Sequence, residues 1–154
     1  MDLPAALPAA DQADPVIETE IRNTFWEVIA CINKGSAPQL FALYSDRHIR
    51  ELSLFWNPAD VEEVFASPAT PQTFEEQTAL VALWDVRELE DGRIGAFVAF
   101  ESTRASPPTV QTRYVFFVQV DDRWVVDDLM SETELRNMGI DVTIPESAAT
   151  PVAP

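Results

Sequence analysis

Two residues near the end of the chain have the chemistry to work on a small molecule. Tyr114 lies in the run Val110 to Val120, and Asp128 lies in the run Trp124 to Met130. Both runs have the β-branched and aromatic content of strands, joined at Asp121-Asp122-Arg123. Alternate residues of a strand share a face, so a Phe116 that points inward takes Tyr114 and Val118 with it. A three-residue turn over Asp121 to Arg123 then sets Phe116 opposite Asp128 and sends Trp124, Val126 and Asp128 to the same interior. A carboxylate among aromatic rings has a raised pKa and serves as a general base or a ligand anchor. At a hydrated sheet rim it does neither. The aromatic walls of such a site are read as Trp26, Trp56, Trp84, Phe116 and Trp124, with Val118; the same residues equally build a core, because pockets and cores use the same side chains.

The other reactive types give less. His48 is the only histidine and Cys31 the only cysteine. One histidine with no paired nucleophile makes no triad, and a metal would need carboxylates beside it. One cysteine excludes an internal disulfide and a cysteine-based metal centre. Cys31 sits in the helical run Val28 to Ile32, where a small buried hydrophobe is the ordinary role. Asp85 and Arg87 share a strand face by period two, as an ion pair on the solvent side or as part of a pocket cluster. No cofactor and no metal is expected. A formal net charge of −16 repels phosphate backbones and anionic lipid, so neither nucleic acid nor a membrane surface is an expected partner.

The elements that must position these residues are readable. Asp14-Pro15 starts a helix whose apolar stripe is Ile17, Ile21, Phe25, Val28 and Ile32, and Gly35 ends it. Ser36 and Pro38 open a second helix running to Asp46. His48 to Leu54 is read as a short strand and Asp60 to Phe65 as a short helix or lid. An antiparallel meander follows: Ala79 to Leu89, an Asp-Gly hairpin at Glu90 to Arg93, Ile94 to Ser102, a connection at Ser106 to Pro108, and the two strands described above. Glu132 to Met138 is a last helical turn stopped by Gly139. Helices first and a curled sheet after make an α+β domain with the helices on one face of the sheet. It spans residues 15–140, between Ala/Pro-rich ends at 1–14 and 141–154 read as disordered. No signal peptide is expected in this sequence, and no apolar run is long enough to span a bilayer. The ends also resemble the linkers that flank exported bacterial domains.

The segments Asn33-Lys34-Gly35-Ser36 through Leu40 to Asp46, Asp91 to Ala96, and Asp122 to Asp128, in that order and spacing, resemble the nuclear-transport-factor-two-like superfamily, which includes SnoaL-like domains and ketosteroid isomerases. The resemblance implies a cone-shaped fold, a pocket between helices and sheet, and a homodimer through the outer sheet face. Aligned on the Asn-x-Gly frame, the positions of an isomerase's tyrosine, base and oxyanion aspartate fall on Val28, Leu52 and Phe116. All three are apolar, so this chemistry is not expected. An epoxide-hydrolase arrangement would draw on Asp85, Arg87 and Asp128. Two functions follow. One is a non-catalytic domain that binds a small apolar ligand or a protein partner. The other is a SnoaL-like isomerase, cyclase or hydrolase acting on a small hydrophobic substrate with Asp128 as acid/base and Tyr114 as donor.

Overall fold

The computed structural model describes residues 10–102 and 107–148. The long first helix, α1 (Pro15–Lys34), starts where Asp14 accepts a hydrogen bond from the Val16 N–H at 2.8 Å. It ends at Gly35, which takes a left-handed conformation with φ 70°. Its buried face is Ile21, Phe25, Val28 and Ile29, each contributing about 1.5–3 kcal/mol by leaving water. Gly35 also allows a close approach: a Cβ there would strike the backbone carbonyl of Thr70. Beside it the Asn33 amide donates to the Thr78 carbonyl at 2.9 Å and accepts from the Thr78 N–H at 2.7 Å. The Asn-x-Gly frame thus fixes the end of α1 to the start of the sheet.

Three short helices follow: α2 (Ala37–Phe41), α3 (Asp46–Ser53) and α4 (Pro58–Ala66). Two expectations change here. The second helix stops at Phe41 instead of continuing to Asp46, because Leu43 to Ser45 turn to the sheet edge. The Ser45 N–H donates to the Val126 carbonyl and the Val126 N–H to the Leu43 carbonyl, both at 2.8 Å. The expected strand at His48 to Leu54 is the helix α3. The Ser45 hydroxyl caps it, accepting from the His48 N–H at 3.1 Å.

The sheet is an antiparallel meander in the order β1 (Ala10–Gln12), β2 (Thr78–Leu89), β3 (Ile94–Ser102), β4 (Thr109–Val120), β5 (Arg123–Met130). The α+β class and the helices-then-meander order are as expected. Both turns differ in detail. Residues Glu90 to Gly92 form a three-residue loop closed by the Leu89 N–H on the Arg93 carbonyl at 2.8 Å. The β4–β5 turn holds only Asp121 and Asp122, at φ 50° and 61°, the mirror-image turn that suits strand twist. Phe116 still faces Asp128, because the register shifts between Phe116 and Phe117 and leaves Asp127 as the extra residue of a bulge.

Ordered chain extends beyond residues 15–140. Ala10 to Gln12 pair with β2, and Val142 is buried. Residues 1–9, 103–106 and 149–154 lie outside the described residues, and with them the rest of the two terminal segments and Ser106 of the β3–β4 connection.

The core has two parts, one on each face of the sheet. Ile94, Ala96, Val98, Val115, Phe117 and Val126 pack with α1. Phe97, Tyr114, Phe116 and Met130 pack instead with Leu135 of α5 (Glu132–Asn137) and with Val142; Met138 and Ile140 close over them. Helices therefore do not all lie on one face: the C-terminal segment roofs the other. No helix among the described residues is long and apolar enough to cross a membrane.

Candidate functional site

An open cavity of about 280 Å³ lies between α1 and the sheet. Its apolar wall is Phe25, Val28, Ile29 and Ile32 of α1, with Phe100, Val115, Val126 and Leu129 of the strands. Polar groups gather among the lining residues: Tyr44, Thr78, Ser102, Gln111 and Arg113. An apolar hollow with a few placed polar groups is the usual form of a small-molecule site. Burial, and to a smaller degree the charge of Cys31, pushes the Tyr44 hydroxyl up to about 12, so it is a neutral donor. Val28 lines this cavity at the position where the resemblance would place a catalytic tyrosine.

Of the residues expected to face the pocket, Val126 lines this one; Trp26, Trp56, Trp84, Phe116, Val118 and Trp124 do not. Trp26 and Trp124 pack against the α1-side core, and the Trp124 indole N–H donates to Glu20 at 2.8 Å. Trp56 is on the surface against Phe41. Trp84 stacks on Phe97, and Phe116 packs beside Tyr114, both on the opposite face of the sheet. Val118 pairs with Val125 near the end of β4.

The structure also does not bring Tyr114 and Asp128 together. Tyr114 is buried between Phe97 and Phe116, at ring separations of 4.9 and 5.1 Å, with its ring laid over Gly95. Burial, followed by the charge of Asp85, pushes its hydroxyl up to about 12. The reason is parity: Val115 and Phe117 point at α1, so Tyr114 and Phe116 point away. Asp128 stands at the edge strand and receives the Arg47 guanidinium at 3.2 Å.

Asp128 belongs to a charge node that the sequence did not single out. Arg47 of α3 also reaches Asp127 at 2.9 Å and Glu51 at 3.2 Å. Asp127, buried at the bulge, further accepts the Ser45 hydroxyl at 2.7 Å and Arg93 at 3.4 Å. Arg93 in turn covers the Phe116 ring at 4.6 Å. Ligand atoms of His48, Glu51 and Asp128 lie within 4.8 Å of one another, and the buried His48 Nδ1 has no hydrogen-bond partner. Both carboxylates already carry the Arg47 cation, however, so a metal would have to displace a guanidinium. As built, the node is structural: it ties α3 to the edge of the sheet.

Asp85 and Arg87 form an exposed ion pair at 2.7 Å, apart from Asp128. Cys31 is half-buried against the core, and burial raises its thiol pKa, with Glu27 adding to the rise. The nearby Lys34 charge pulls the other way but is outweighed, so the thiol is not activated as a reactive one would be.

The cavity and its frame are those of an α+β domain: a long helix over a five-stranded antiparallel meander, with a hollow between them. No family model and no curated protein matches this sequence. Among solved structures the chain is similar to an Ntf2-like protein involved in plasmid conjugation, at 12% identity and a TM-score of 0.47, over 86% of this chain and 48% of that one. The chain thus spans about half the length of that protein.

Proposed function

We propose that this is a non-catalytic binding domain whose cavity takes a small apolar molecule. The observation that carries the reading is the 280 Å³ hollow with eight apolar side chains in its wall. That space is about nine waters' worth, room for a ligand of the order of ten non-hydrogen atoms. The enzymatic alternative lacks support from geometry, since its donor is behind the sheet and its carboxylate is held by an arginine. A thermal-shift screen of small apolar compounds, repeated on Val28→Phe, tests it. Hits on the wild type that vanish in a folded, plugged variant support the reading. No shift with any compound overturns it.

Self-association is a second reading, with its seat moved from the expected outer sheet face. That face is roofed by α5 and the chain after it, whereas Leu54, Phe55, Trp56 and Phe65 around α3 and α4 are exposed together in sequence. A second copy docking on this strip gives about twice the 17.2 kDa chain mass in light scattering. Phe55→Ser then returns the single-chain mass; a wild-type monomer at high micromolar concentration rejects the idea.

A further inference from the structure

The cavity has one charged group among its lining residues, and its partners are unusual for this chain. Arg113 shares a strand face with Gln111 and Val115, and its guanidinium lies 5.8 Å from the centre of the Phe100 ring. It donates to the Gln111 side-chain oxygen at 2.9 Å and to the Thr112 carbonyl at 3.3 Å, both neutral acceptors. Among the described residues it forms no ion pair, whereas Arg22, Arg47, Arg87, Arg93, Arg123 and Arg136 each reach a carboxylate. Arg50 is the other arginine without one among the described residues, and it is exposed on α3, where water solvates it. Arg113 is half-buried. Glu132 senses its charge, but the Glu132 oxygens are taken by Arg136 and the Thr112 N–H.

In a chain with 26 acidic and 10 basic residues, a half-buried arginine without a carboxylate needs a reason. A guanidinium has five N–H donors in a fork that matches a carboxylate, and only two acceptors are recorded here. We infer that the cavity selects an apolar molecule ending in a carboxylate, with the tail against α1 and the head on Arg113. The Gln111 amide, Ser102 and Thr78 line the same cavity and are available to the second oxygen. A single cation inside a field of net charge −16 favours a monoanion over a phosphate dianion. This inference rests on the apolar-ligand reading of the cavity.

Calorimetric titration with octanoate, octanol and octylamine at one ionic strength tests it, on wild type and on Arg113→Gln, with circular dichroism to check folding. Wild type should bind octanoate about tenfold or more tighter than octanol, as a charge-assisted hydrogen bond allows. Arg113→Gln should abolish that preference, so that octanoate binds no tighter than octanol to the variant; Arg113→Lys should keep part of it. Octanol binding with no octanoate preference overturns the anchor while the apolar cavity stands, as does a preference that survives in Arg113→Gln. If none of the three binds wild type, the ligand reading and the anchor fall together.

Discussion

Gly95→Ala separates two physical effects by sign. Replacing a strand glycine with alanine normally gains about 0.4–1 kcal/mol, because the unfolded chain loses freedom. Gly95 lies under the ring of Tyr114, and a Cβ added there would stand 2.6 Å from Cζ and 2.8 Å from Cε1. Ordinary carbon contacts begin well beyond 3 Å, so the ring must move by the better part of an ångström. It has little room, with Phe97 on one side, Phe116 on the other, and only 2% of its surface exposed. Overpacking of a filled core costs about 1–3 kcal/mol, and the upper end applies because the obstacle is a rigid ring. The expected loss is about 3 kcal/mol, a fall in Tm of about 6–12 °C for a domain of this size. Urea and thermal unfolding measure it. Tyr114→Leu alone should cost about 2–4 kcal/mol for the space it leaves. In the double variant the new methyl fills part of that space, so the losses should fall short of their sum by about 1 kcal/mol or more. A neutral or stabilising Gly95→Ala, or strict additivity, would show that Tyr114 does not lie on Gly95.

Three further expectations concern titration and the charge node. The chain's two tyrosines are both pushed up to about 12, so the native protein should show no phenolate absorbance near pH 10, where unfolded tyrosine ionises; one residue titrating near 10 contradicts the burial. Burial lowers the His48 pKa against the opposing pull of Asp128, Glu51 and Asp127 and with the help of Arg47. Its folded pKa lies below the unfolded one, so its contribution is intact above about pH 6.5 and is lost as pH falls through the folded pKa, with a slope of at most about 1.4 kcal/mol per pH unit. His48→Gln should flatten that part of the stability profile, and an NMR-titrated pKa above 6.5 would reverse the sign. Ser45→Ala removes both the α3 cap and a bond to buried Asp127 and should cost about 1–2 kcal/mol in urea unfolding; a change under a few tenths would mean that the node does not anchor α3.

The legible parts of the fold were those with local signals. Asp14, Gly35 and the 3.6-residue stripe of α1 marked their element because caps and amphipathic periodicity act within one or two turns. His48 to Leu54 misled because the segment is too short for its Ile49–Leu52 spacing of three to declare a helix, while the deciding interaction is the Ser45 cap, held in place by Asp127 across 82 positions. The β4–β5 register came out right through two compensating differences, a shorter turn and a bulge.

The candidate site was less legible, for a reason specific to a sheet covered on both sides. Residues 114–117 are all buried, as are 94–99. Alternation reveals a face only when one side of a strand is wet; a strand buried on both sides reads as a continuous apolar run. The sequence therefore contained the period of β4 but not its phase, and a phase error of one residue sends every side chain to the opposite face. That single ambiguity moved Tyr114 and Phe116 into the expected cavity and left Arg113, Val115 and Phe117 out of it. Beyond the buried run a partial signal did exist: Gln111 and Arg113 continue the parity of Val115, and they are the polar residues of β4 that line the cavity. A strand that leads from buried apolar positions to one arginine on the same face marks where a concave surface opens. Here that residue is Arg113, the half-buried cation without a carboxylate, so the position that fixes the phase of the strand also carries the strongest indication of what the cavity holds.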